Sequence, residues 1–324
     1  MTKYRTDLAV EAKDMYVKEN KSEVDGIIVN NDSYGDINIT NVKVKSDEAA
    51  EKIGKPIGTY ITIDFPIFTS YDGEFMDDLS KVVSESLKEV INIDETKTAL
   101  VVGLGNWNVT ADSLGPKVSE KIMVTRHLKQ IMPEVLDEGV VPVCAISPGV
   151  LGVTGIETAE MVKSISQKIK PDIVICIDAL GSRSLERVNR TIQICDTGIS
   201  PGAGVYNNRM KINEENLGIK VVAIGVPTVV DASTIANDAI DLVLDDLISR
   251  VDTGKPFFEM LQSIDKSEKS MIIREVLNPY IGDLIVTPKD VDDTIENLSK
   301  IISNGINIAL QPNLTMEYIN KFIV

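Results

Sequence analysis

The chain has 324 residues, 43% of them hydrophobic and 25% charged, a balance that fits a globular protein with a sizeable core and excludes a disordered or fibrous one. With 49 acidic against 33 basic residues the formal net charge is −16, so the field of the molecule repels phosphate backbones and anionic membranes, and direct nucleic-acid binding is not expected. No basic stretch precedes an apolar one near the N-terminus, and no run approaches the roughly 18–20 apolar residues of a bilayer span, so a cytoplasmic protein without a membrane partner is expected.

The first recognisable stretch, Arg5-Thr6-Asp7-Leu8-Ala9-Val10-Glu11, mixes acids with small apolar residues. It reads equally as a short helix capped by Thr6 or Asp7, a docking segment, or a sequence meant to be cut. Turn signals at Asn31-Asp32-Ser33 and Tyr34-Gly35-Asp36 then separate alternating runs such as Ile37 to Val44 and Tyr60 to Ile63. These predict a small antiparallel layer within a β-rich part spanning residues 8–95. Leu79, Val82, Val83, Leu87 and Val90 stand at helical spacing from about Asp77 to Val90.

From residue 96 to 324 the pattern changes. Thr98 to Leu104 is a continuous apolar run of the kind buried on both faces of a parallel sheet, and similar runs recur at Val140 to Ile146, Asp172 to Ile177, Val221 to Val226 and Leu284 to Val286. Helical patterns separate them. Thr154-Gly155-Ile156-Glu157 has capping-box spacing ahead of Met161, Val162, Ile165 and Ile169. A second helix begins at Thr287-Pro288-Lys289-Asp290, with Gly305 as its expected stop. Asp252 to Pro256 and Asp265 to Lys269 read as a surface excursion. The fold class expected is α/β, a mostly parallel sheet flanked by helices, forming one compact unit with the antiparallel layer.

Ligands and catalytic groups collect beyond the carboxyl ends of parallel strands. There the chain places Gly103-Leu104-Gly105-Asn106 followed by Thr110-Ala111-Asp112-Ser113, then Ile177-Asp178, then Val226-Pro227-Thr228 ending in Asp231. The Gly103 loop lacks both a dinucleotide fingerprint and a P-loop lysine, so nucleotide binding is a weak reading. Asp112, Asp178 and Asp231 are caps and loop acids on the plain reading. The alternative is that Asp112 and Asp178 meet at one rim and work on one water as base and acid. His127 is the only histidine, on a helix expected to start near Pro116 and about four turns from Asp112, so it reads as structural. Ser113, Ser182 and Ser184 lack a nucleophile elbow. Cys144, Cys176 and Cys195, with no zinc spacing, read as reduced core residues.

The stretches Arg5 to Ala12, Val101 to Asn106, Thr110 to Lys117, Thr125 to Leu128, Pro148 to Val150, Thr154 to Thr158, Ile177 to Leu180 with Arg183-Ser184, Gly225 to Ala232 and Val286 to Lys289 together resemble the germination protease family of spore-forming bacteria. The resemblance runs from near residue 5 to about residue 310. It implies a fold similar to that of hydrogenase maturation proteases and an atypical aspartic endopeptidase without a cofactor or metal, with Asp112 and Asp178 as the catalytic pair. It also implies small acid-soluble spore proteins as substrates, a homotetramer, a place in the forespore, and a precursor that removes its own N-terminal segment. Family substrates are cut after an acid that follows Thr and precedes an apolar residue, Ala and a later Glu; Thr6 to Glu11 fits, so residues 1–7 are the expected propeptide and Asp7-Leu8 the bond. The amides of Gly103, Gly105 and Asn106 are the expected oxyanion or substrate loop. Gly181-Ser182 departs from the small apolar residues of the family pattern. The rival readings are a metal-dependent peptidase of the same fold and a non-enzymatic binding partner of spore proteins.

Overall fold

The computed structural model describes residues 6–201, 210–250, 272, 275–276, 284–311 and 313–322. The excursion expected at 252–256 and 265–269 lies outside them. In chain order the strands are β1 (Ile27–Tyr34), β2 (Ile37–Val44), β3 (Gly58–Asp64), β4 (Ala99–Gly103), β5 (Val143–Ile146), β6 (Ile173–Ser182), β7 (Thr191–Cys195), β8 (Lys220–Asp231) and β9 (Ile285–Val286). The helices are α1 (Ala9–Asn20), α2 (Asp47–Ile53), α3 (Gly73–Val90), α4 (Leu114–Glu120), α5 (Arg126–Ile131), α6 (Leu151–Thr154), α7 (Thr158–Ile169), α8 (Glu214–Leu217), α9 (Ala232–Arg250), α10 (Val291–Leu310) and α11 (Met316–Phe322).

The described strands form one sheet in the order β1-β2-β3-β7-β8-β6-β4-β5, with β9 paired to β8. Strands β8, β6, β4 and β5 run parallel, as their continuous apolar runs require. Strands β1, β2, β3 and β7 are antiparallel neighbours, and β7 joins them to β8. The antiparallel layer is therefore an extension of the same sheet. The Leu284 to Val286 run also pairs, but as a two-residue antiparallel strand. Asn31, Asp32 and Ser33 lie inside β1; the hairpin turns on Gly35, at φ +56°, a backbone region that suits glycine.

Alternation along the parallel strands divides the core in two. Val101, Ile175, Ile177, Val222 and Ile224 face α3, α4 and α10, whose Leu79, Val83, Leu114, Leu298 and Ile302 bury against them. Leu100, Val102, Val174, Cys176 and Val221 face α7 through Ala159 and Val162. Further along that second face, Tyr60, Cys195 and Ala223 are covered by Ala9 of α1 with Ala49 and Ile53 of α2. Asp178 continues the series Val174, Cys176 and so projects from this second face.

Several helix-boundary expectations change; Leu8, rather than Thr6 or Asp7, is the N-cap of α1, with no side-chain cap. Thr154 ends α6 rather than capping α7: its hydroxyl accepts the Ile156 amide at 3.1 Å, and α7 begins at Thr158 behind Glu157, with no side-chain cap. Gly305 lies inside α10, which continues to Leu310. A Cβ there would stand 2.6 Å from Val83 Cγ1, so this glycine sets the close approach of α10 to α3.

Candidate active site

Asp112 closes a short 3-10 turn, Thr110–Asp112, between β4 and α4. Backbone packing holds that turn onto the sheet. A Cβ on Gly103 would lie 2.1 Å from the Gly115 carbonyl oxygen, and a Cβ on Gly115 would lie 2.2 Å from the Leu104 oxygen and 2.6 Å from that of Ile177. Only glycines let β4 and the start of α4 come so close. Gly105 adopts φ +113° over the Asp112 backbone, and the Asn106 amide donates to both the Asp112 carbonyl (3.0 Å) and its carboxylate (2.9 Å). From β8, the Thr228 hydroxyl donates to the Ala111 carbonyl at 2.7 Å, and the Thr287 hydroxyl donates to the Thr228 carbonyl at 2.9 Å.

Asp178 sits on β6 beyond the end of β4, only 5% exposed, and its carboxylate accepts the Ala179 amide at 3.0 Å. Burial first, and then the nearby Asp178 carboxylate, push the Cys176 thiol upward, so it stays protonated. Cys144 and Cys195 are free as well, and burial raises both thiols.

Asp112 and Asp178 line one cavity of about 400 Å³ at the carboxyl ends of the parallel strands. Leu104, Gly105, Val109, Val150 and Leu180 supply apolar and backbone wall, and Thr158, Thr228 and Thr287 supply hydroxyls. Among the described lining residues, these two aspartates are the ionisable ones. Of the expected loop only Gly105 lines the cavity: Gly103 is spent on packing against Gly115, and the Asn106 amide is given to Asp112. The bracing role of Thr228 is not legible in the sequence, though its place just past the apolar run Val221 to Val226 is where such a residue would be sought.

The other sequence candidates stand elsewhere. His127 is exposed on α5, a separate helix from α4, because the helix is interrupted between Glu120 and Arg126. Asp231 accepts the Ser233 amide at 2.7 Å and takes a helix-start role. The Ser113 and Ser182 hydroxyls donate to the Thr110 and Ser184 carbonyls. Among the described residues, no group of three or more His, Cys, Asp or Glu side chains is placed to hold a metal ion. No described helix is long and apolar enough to cross a membrane.

The helix that follows Asp112 is tied from outside as well. Glu296 of α10 accepts from Lys117 at 3.0 Å and pairs with Lys121 at 3.1 Å, both on or just past α4. Burial opposes ionisation of Glu296, but the hydrogen bonds from the two lysines outweigh it and lower its pKa. A lowered folded value means that the pair's stabilisation is present above about pH 4.5 and fades as pH falls through the folded value. The pair is substantially exposed, so its contribution stays near or below ~1 kcal/mol.

Asp7 and Leu8 do not line the cavity, yet they sit beside it. The Asp7 amide donates to the Gly181 carbonyl (3.3 Å) and the Gly181 amide donates to the Asp7 carboxylate (3.0 Å), and Gly181 is itself a lining residue. The Asp7 carbonyl accepts from Lys55 Nζ (2.8 Å) and Gln193 Nε2 (3.2 Å), while Gln193 Oε1 accepts the Ala9 amide at 2.7 Å. Gln193 pairs with Gly225, and Gly225 with Asp178. Residues paired in this way show the same face, so the Asp7-Leu8 bond lies over the face from which Asp178 projects.

Two carboxylates in a cleft at the strand ends of an α/β sheet can do acid–base work, and the chain itself is similar to proteases. The family model described as Germination protease matches residues 6–255 and 245–323. A germination protease of Clostridium perfringens is 61% identical over 324 residues, covering 100% of both chains. One from Bacillus subtilis is 40% identical over 349 residues, covering 97% of this chain and 95% of its own. A solved [NiFe] hydrogenase maturation protease, HycI from Thermococcus kodakarensis, overlaps 44% of this chain and 80% of its own, at 20% identity and a TM-score of 0.28. The chain belongs to the germination protease family, and is a protease of spore germination.

Proposed function

We propose that the chain is an aspartic-type endopeptidase in which Asp112 and Asp178 activate one water between them. The observation that carries this reading is their shared cavity, whose described lining holds no other ionisable group. One carboxylate takes a proton from water as the water oxygen bonds to the scissile carbonyl carbon; the other delivers a proton to the amide nitrogen as the C–N bond breaks. Gly105, the loop residue that reaches the cavity, is positioned to support the developing oxyanion through the backbone. The threonine braces, Thr228 on β8 and Thr287 just past β9, keep the Asp112 turn from drifting, which matters because a misplacement of about 1 Å can cost roughly a hundredfold in rate.

The substrates in this reading are small acid-soluble spore proteins in the forespore, acted on by a homotetramer. The chain carries a copy of the target sequence at Thr6-Asp7-Leu8-Ala9-Val10-Glu11 and removes residues 1–7 by cutting Asp7-Leu8. Because that bond lies outside the cavity lining, the segment leaves its seat before it is cut, by displacement or by uptake into another copy's site.

Replacing Asp112 or Asp178 by Asn tests the mechanism. Each variant should keep the melting temperature within a few degrees while losing on the order of a thousandfold or more in hydrolysis of a Thr-Asp-Leu-Ala-Val-Glu peptide. Neither should shed residues 1–7 by intact-mass measurement. Full activity in either variant contradicts the pair. Wild-type hydrolysis in a strong chelator separates this reading from a metal-dependent one.

A further inference from the structure

Resting on the reading that Asp7-Leu8 is the bond cut, we propose that the cut gives Glu11 a new partner. In the processed chain the α-ammonium of Leu8 pairs directly with the Glu11 carboxylate, and that pair fixes the segment following β6. Glu11 is thereby a positioning residue of the processed enzyme.

Glu11 is a carboxylate only 6% exposed. It accepts the Thr6 hydroxyl, the Arg183 amide at 2.9 Å and the Ser184 amide at 3.0 Å, and it lies 3.8 Å from Arg187 Nε. Leu8 is the N-cap of α1, fully buried, and its amide donates to the same Thr6 hydroxyl at 3.1 Å. One side-chain oxygen therefore bridges the Leu8 nitrogen and the Glu11 carboxylate. Glu11 is the third residue of α1, the position from which an acidic side chain reaches back to the N-cap amide in a capping box. Here Thr6 occupies the gap.

Hydrolysis leaves the water oxygen on the Asp7 carbonyl carbon as a carboxylate and leaves the Leu8 nitrogen, with its added protons, as an ammonium. Thr6 departs with the released peptide. The new cation stands at a helix N-terminus, where the helix dipole disfavours it, and in a buried site, where a lone charge is costly. The Leu8 side chain stays enclosed by Val10 and Leu180, with Ile199 packed alongside. Of the cations nearby, Arg183 is engaged with Asp238 through two bonds of 2.7 and 2.8 Å and Arg187 with Asp64 at 2.7 Å, while Lys55 gives up the Asp7 and Thr6 carbonyls when the peptide leaves. The Asp7 carboxylate leaves too. Glu11 is the acid that one hydroxyl already links to the Leu8 nitrogen, and its amide donors Arg183 and Ser184 lie just past the end of β6, the strand that carries Asp178.

The test uses a chain that begins at Leu8, released from a fusion by an added sequence-specific protease so that self-cleavage is not needed to make it. Glu11→Gln is placed in that chain and in the full chain. The melting temperature should fall further on Glu11→Gln in the chain that begins at Leu8. Acylation of the Leu8 α-amine by an amine reagent at neutral pH, followed by mass spectrometry, should quicken about tenfold, the effect of losing one pK unit of protection. Equal melting losses in both chains, with an unchanged labelling rate, overturn the proposal. If Glu11→Gln fails to fold, one glycine added before Leu8 keeps Glu11 but moves the ammonium. A melting temperature equal to that of the chain without the glycine likewise overturns it. Failure of the full chain to cut itself counts against processing alone and leaves these measurements readable.

Discussion

Gly115 shows how single residues decide where the site stands. Its missing side chain is filled by backbone oxygen from Leu104 and Ile177, which no rotamer change can move aside. Gly115→Ala should therefore push the start of α4 off the sheet, costing about 1–3 kcal/mol of stability. Because Asp112 is three residues upstream, peptide hydrolysis should fall more steeply than stability does, as measured by thermal denaturation beside kcat/KM. Unchanged kinetics in a folded Gly115→Ala chain would show that the approach of α4 does not set the aspartate. Asp112 and Asp178 were legible as candidates because each follows an apolar run, and both line one cavity. The bracing threonines were not, since a hydroxyl after a strand looks the same whether it braces a turn or faces water.

At the level of elements, α10 does more than close the core. It grips α3 through Gly305 and α4 through Glu296, so one helix carries both the packing and the charge contacts that hold the Asp112 turn. Alanine is favoured over glycine inside a helix by about 1 kcal/mol, but overpacking costs about 1–3 kcal/mol. At Gly305 the obstacle includes Val83, a fully buried β-branched side chain with little freedom to turn. Gly305→Ala should thus lower the melting temperature, and a rise would mean that α3 can shift at little cost. The long apolar strands and α3 were legible from periodicity, whereas Gly305 read as a stop because a packing glycine and a terminating glycine leave the same trace. Strand β7 escaped notice for another reason: Thr191-Ile192-Gln193-Ile194-Cys195 is short and half polar, although all five residues are buried. Its polar side chains are used, Thr191 toward Asp64 and Gln193 toward Asp7 and Ala9.

For the molecule as a whole, the decisive pairing is β3 with β7. It fuses the antiparallel strands to the parallel ones, and the core built on it mixes Ile37, Ile61 and Ile63 with Ile175, Ile192 and Ile301. Residues 8–95 and the remainder therefore share one core, and heat should unfold them in a single transition followed alike by far-ultraviolet circular dichroism and calorimetry. Two separated transitions would mean that the shared core does not couple them. The sequence reading found β2 and β3 of the antiparallel layer but took part of β1 as a turn, and it named no partner for β3, because strand partners far apart in the chain leave no local pattern.

That attachment also has a timetable. Asp64 and Thr191, neighbours across β3 and β7, are 127 residues apart in the chain. At roughly 5–20 residues per second, a ribosome needs about 6–25 seconds to deliver the second after the first. During that interval the β1-β2-β3 meander has no β7 to pair with, and a three-stranded piece exposing Ile61 and Ile63 is a ready template for another nascent chain. The seam that gives the finished molecule its single core is, during synthesis, the edge that must be kept from strangers.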